Sequence, residues 1–145
     1  GTASGFFRIP RYFGVPVVFT NSAFPMPYYS LKKNDLYLPR LIRKTLNDKN
    51  QTFEEMMSFP SLLLQGEDAF KKNGLSFVES SPDDIDLSVK EMIDDIFNPN
   101  KNSLNEQQIK FKNIAEKNIN KHNHSVEAFA KCSKSFLENY PYLLN

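Results

Sequence analysis

Two stretches bring together residue types that could do chemistry. The chain opens on Gly1-Thr2-Ala3-Ser4-Gly5, five small residues running into an apolar and basic segment. A small-residue turn that feeds a helix is equipment for binding an anion. The first N–H groups of the helix lack intrahelical partners, and the dipole puts partial positive charge there. Gly1 and Gly5 let a ligand approach the backbone, while Thr2 and Ser4 add hydroxyl donors without bulk. The second stretch is "SAFPMPYYSLKKNDLYLP", residues 22–39. Pro25 and Pro27 stiffen it, Tyr28, Tyr29 and Tyr37 could stack on a sugar or base, and Lys32 and Lys33 could neutralise phosphate. Asn34 and Asp35 could accept hydroxyl hydrogen bonds.

Competing chemistries fail at particular positions. A P-loop needs Gly-Lys-Ser/Thr, which is absent. The nucleophile elbow needs Gly two residues before its Ser, where Thr2 stands. The dinucleotide fingerprint needs three glycines that Gly1 and Gly5 do not supply. His122 and His124 sit in a polar run with no carboxylate or Cys at ligand spacing, so no metal is expected. Cys132, the single cysteine, lacks a His partner and reads as a helix-face residue. Asp83, Asp84, Asp86, Glu91, Asp94 and Asp95 spread around a helix and read as a solvated face.

The elements that must position these residues follow from local signals. Gly14 suits the end of a short helix interrupted or delayed by Pro10. "VPVVFTN" (15–21) reads as a buried strand, and residues 22–30 as an irregular loop. "LKKNDLYLPRLIRKTL" is left between a short helix and an extended arm. Thr52 with Glu55 forms a capping box, Gly74 ends the next helix, and "LSFVES" (75–80) alternates as a strand. Ser81-Pro82-Asp83-Asp84 is a strong helix start, followed by an apolar stripe of Ile85, Val89, Met92, Ile93 and Ile96. Ser103 with Glu106 opens a further helix bearing Leu104, Phe111 and Ala115, and "SKSFLENYPYLLN" closes as a short helix and apolar tail. The order predicts an α/β fold with two visible strands, too few for a stable sheet alone.

The charge is unevenly spread. The net +1 over 145 residues hides +6 in residues 1–50, −8 in 51–99 and +3 beyond. A basic first third suits a phosphate or an acidic membrane surface. It lacks the Lys/Arg density and interleaved aromatics of a nucleic-acid groove. No apolar run approaches the roughly 20 residues needed to span a bilayer.

With these residues aligned, the chain resembles the C-terminal part of a family of bacterial glycosyltransferases of the GT-B type, which carry two Rossmann-like domains. The resemblance rests on "GTASGFFRIPRYFGVPVVFTN", "FPMPYYSLKKNDLYLPRLI", "LSFVESSPDDIDLSVKEMI" and "SKSFLENYPYLL". It implies a partial Rossmann-like domain over 1–99, with few parallel strands, and a helical extension over 100–145 packing on it. It further implies a nucleotide-diphosphate sugar as donor, with its diphosphate at Thr2, Ala3, Ser4 and Gly5. Asn21 and Ser22 would lie beside the donor, and Lys33, Asn34 and Asp35 would contact its sugar or leaving phosphate. No metal or other cofactor is expected, since helix dipole and basic side chains would carry the leaving-group charge. The acceptor would be a glycan or lipid-linked group in surface glycan synthesis. Location is expected to be cytoplasmic, with peripheral attachment at the inner membrane face. The family's acceptor domain, which usually supplies the catalytic base, has no counterpart here, nor does its ribose-binding acidic residue. A donor-site fragment without turnover of its own is therefore expected. The alternative is a non-catalytic α/β module that binds a phosphorylated ligand or a protein partner.

Overall fold

A computed structural model describes residues 8–23, 31–58, 67–99, 103–119 and 130–145. It is organised around one strand. The run Leu36, Tyr37, Leu38, Pro39, Leu41, Ile42 is buried on both faces, as a continuous apolar run in a central strand must be. This is β2, Leu36–Lys44, so the segment read as a short helix or an arm is the middle of the sheet.

Among the described residues four short strands flank β2. β1, Val18–Ala23, pairs with it in parallel from Val18↔Leu36 to Ala23↔Arg40. β5, Lys131–Cys132, is also parallel, at Leu36 and Tyr37. The far half of β2 is antiparallel to β3, Lys49–Asn50, and to β4, Leu75–Val78. The result is a mixed five-stranded sheet in an α/β fold, rather than a sheet of parallel strands alone. Pro39 is tolerated inside β2 because the β5 ladder ends at Tyr37 and the β4 ladder begins at Leu41.

β1 starts later and runs further than the apolar pattern of 15–21 predicts. Asn21 takes a positive φ of 53°, a conformation Asn tolerates, and the register with β2 shifts between Phe19 and Ser22. Ahead of it, α1 spans Arg8–Tyr12, with Pro10 in the first turn where its missing N–H costs little. Gly14, φ 72°, ends it as the sequence suggests.

The remaining helices test the capping signals. α2, Phe53–Ser58, carries the expected box: Thr52 N–H donates to Glu55 Oε2 (3.0 Å) and Glu55 N–H to Thr52 Oγ1 (3.2 Å). α3, Glu67–Lys72, is closed by Gly74 at φ 67°. α4, Pro82–Phe97, starts at Ser81, whose Oγ accepts from Asp84 N–H. α5, Glu106–Ile119, is boxed by Asn105 and Gln108 rather than by Ser103 and Glu106, through bonds of 2.8 and 3.1 Å. α6, Lys134–Asn139, and a 3₁₀ turn, Pro141–Leu144, end the chain.

One hydrophobic cluster joins both sides of residue 99. It includes Tyr37, Ile42, Phe53 and Met56 from the first part and Phe111, Ala115, Phe136 and Leu143 from the second. Phe111 packs edge-on to Phe53 at 4.8 Å between centroids. α4 departs from expectation. Its apolar stripe is split: Met92 is buried and Ile85 packs on the core, Val89, Ile93 and Ile96 are about half exposed, and Asp84 and Ser88 also face inward. Among the described residues no helix is long and apolar enough to cross a membrane.

Candidate functional site

Parallel pairing of β1 with β2 separates the residues nominated from sequence. Asn21 and Ser22 stand at the C-terminal end of β1. Lys33, Asn34 and Asp35 precede β2, beside the start of β1. The partners of Val18 and Ser22 on β2 are Leu36 and Pro39. Three strand rises, about 10 Å, therefore lie between the two groups along the sheet. Thr2, Ala3, Ser4 and Gly5, with Tyr28 and Tyr29, lie outside the described residues, as do His122 and His124.

At the first end, Asn21 Oδ1 accepts from the N–H of Ser80 (2.9 Å), which ties β1 to the entry of α4. The N-terminus of a 16-residue helix thus sits against the C-terminal end of a parallel strand. Ligands of open α/β sheets collect at such ends, and helix N-termini favour anions. Asn21 Nδ2 has no partner among the described residues, and neither does the buried Ser80 Oγ. The sequence reading singled out Asn21 but missed Ser80. The available signal was the helix start "SSPDD", which marks where backbone N–H groups become free. Ser22 is buried, and its carbonyl accepts the Tyr37 hydroxyl at 2.7 Å. Tyr37 is fully buried, so it belongs to the core and cannot stack on a ligand as expected.

The second end is held by Asp35. Its Oδ1 accepts from Val17 N–H (3.1 Å), and its Oδ2 accepts from Lys32 N–H (2.8 Å) and pairs with Arg11 Nε (3.1 Å). With both oxygens occupied and the residue 3% exposed, this carboxylate fastens α1, β1 and the turn before β2 together. It is not presented to a sugar hydroxyl. Arg11, which no motif marked, is its counter-charge. Lys33 and Asn34 are exposed. They border a cleft of about 860 Å³ between α4, α5 and β5, floored by Met92, Ile96, Phe111 and Cys132.

The acidic cluster on α4 is a solvated face only in part: Asp83, Asp86 and Asp94 are exposed, whereas Asp84 and Glu91 are drawn into contacts. Asp84 is buried and accepts from Ser81 Oγ (2.7 Å), Tyr140 hydroxyl (3.0 Å) and Asn139 Nδ2 (3.3 Å). Glu91 accepts from Lys134 N–H (2.8 Å), Ser133 Oγ and Gln108 Nε2 (both 3.2 Å). Burial pushes the Glu91 carboxyl above its ordinary value, against the opposing pull of those hydrogen bonds. Cys132 is wholly buried on β5, and the same loss of solvent, with the charge of Glu91, raises its thiol pKa well above the usual range. A thiol so placed is not a nucleophile. These residues dock α6 and β5 onto α4. Among the described residues no His, Cys, Asp or Glu group could hold a metal ion.

Comparison with protein-family models, with curated proteins and with solved structures finds no match to this chain.

Proposed function

We propose that the chain is the donor-binding portion of a glycosyltransferase of the GT-B type, which transfers a sugar from a nucleotide-diphosphate sugar to a glycan or lipid-linked acceptor. The observation that carries the reading is the junction at Asn21, where the C-terminal end of a parallel strand meets the N-terminus of α4. A diphosphate there would meet the Asn21 amide and the positive end of the α4 dipole. Thr2, Ala3, Ser4 and Gly5 would add small-residue donors to the diphosphate.

In this reading the donor lies at the Asn21 end, and Asp35 is a structural carboxylate rather than a sugar contact. Lys33 and Asn34 face the cleft below β2. Chemistry on a nucleotide sugar fits a cytoplasmic protein. The test is a binding titration of the folded chain against UDP, GDP, ADP and CMP, repeated with Ser4→Asp. Saturable binding of one nucleoside diphosphate, lost when the aspartate repels its phosphates, is the expected result. A folded chain that binds none of them would instead favour a non-catalytic module.

A further inference from the structure

We propose that the segment Ile9–Val15, flanked by Arg8, Lys32 and Lys33, is a docking surface for an anionic lipid membrane. Tyr12 and Phe13 are 86% and 81% exposed, and Ile9 and Val15 about half exposed. Single apolar residues on a surface are ordinary. Four within seven positions of one short helix and its exit turn are not, and α1 buries none of its residues.

The turn that displays them is well held. Phe13 N–H and Val15 N–H both donate to the Pro10 carbonyl (3.0 Å), and Gly14 N–H donates to that of Arg11 (3.2 Å). Arg11 is in turn anchored to the buried Asp35. The aromatics therefore stand out from the fold at little further cost in conformational entropy.

Charge selects the partner. Arg8, Lys32 and Lys33 are exposed, and none has an ion-pair partner among the described residues. Lys32 and Lys33 border the same depression of about 390 Å³ as Gly14 and Val15. The carboxylate lining that depression is Asp35, which is buried and matched by Arg11. The surface thus combines projecting aromatic and aliphatic tips with unopposed cations. Amphipathic rings settle at the headgroup level of a bilayer, and adjacent Lys and Arg draw anionic lipid toward them. The inference does not rest on the nucleotide-sugar reading, because Lys32 and Lys33 lie at the opposite end of β1 from Asn21.

The chain has no tryptophan. Phe13→Trp therefore supplies a sole indole reporter at the proposed contact. Vesicles of phosphatidylcholine with about 30 mol% phosphatidylglycerol are expected to shift its emission to the blue and expose it to quenching by brominated lipid. Binding should be more than about tenfold weaker on phosphatidylcholine alone, at roughly fivefold per cation, and should weaken as salt rises. Lys32→Glu with Lys33→Glu in the Phe13→Trp chain should cause a comparable loss. In co-sedimentation, Tyr12→Ser with Phe13→Ser should abolish association, with the far-UV circular dichroism unchanged. The proposal is overturned if neither vesicle binds, if binding ignores these substitutions, or if the blue shift grows with protein concentration in the absence of vesicles. The last result would assign the surface to a second copy of the chain.

Discussion

Three carboxylates of this chain show how much the surroundings of one residue type decide. Asp35 holds two backbone N–H groups and Arg11, Asp84 holds a serine, a tyrosine and an asparagine, and Glu91 sits half out of water beside Ser133. None of this was legible in the sequence. Spacing reports on which side of a helix a residue falls, but not on what is packed there. Glu91 gives a signed prediction. Burial raises its folded pKa above the ordinary 4.5. In the window that opens near that value and closes above the folded pKa, the native state holds the proton more tightly than the unfolded chain. Stability from this group is therefore lost as pH rises through the window. Urea melts of the wild type and Glu91→Gln across mildly acid to neutral pH should show the difference moving in favour of the variant as pH rises. A difference that stays constant or moves the other way would exclude a raised carboxyl.

Elements with strong local signals were legible: the Thr52–Glu55 box, the Ser81-Pro82 start and the glycines that end α1 and α3. Such signals act over three or four residues, so no tertiary contact is needed to see them. β2 was harder, because a run buried on both faces has neither period. β5 is two residues long and exists through its pairing with Leu36 and Tyr37, some ninety-five positions earlier in the chain. The apolar stripe of α4 misled in part, because only Ile85 and Met92 of it pack inward and Asp84, Ser88 and Glu91 share the contact. At this scale Asp35→Asn is informative, since that one carboxylate joins α1, β1 and the turn into β2. Removing a buried carboxylate that pairs with Arg11 and accepts two backbone N–H groups should cost about 3–5 kcal/mol by chemical denaturation. Loss below about 1 kcal/mol would mean that the three segments hold together without it.

Across the whole molecule, the α/β class was legible, whereas the mixed sheet and its closure by the last fifteen residues were not. β5 enters the sheet and Phe111 packs on Phe53 and Tyr37, so residues 100–145 complete the core that 1–99 begins. Phe111→Ala should destabilise the chain by about 3–5 kcal/mol, in one transition that fluorescence and circular dichroism report alike. Two separated transitions would mean that the parts fold independently.

The most direct test of the donor-site account is to follow backbone amides by NMR while UDP, GDP, ADP and CMP are titrated in turn. The account predicts that one diphosphate perturbs Asn21, Ser22, Ser80 and Ser81 in a saturable way and leaves Lys33–Asp35 unmoved. A folded chain in which no nucleotide moves the first group, or in which the perturbation gathers at Lys33–Asp35, would contradict it.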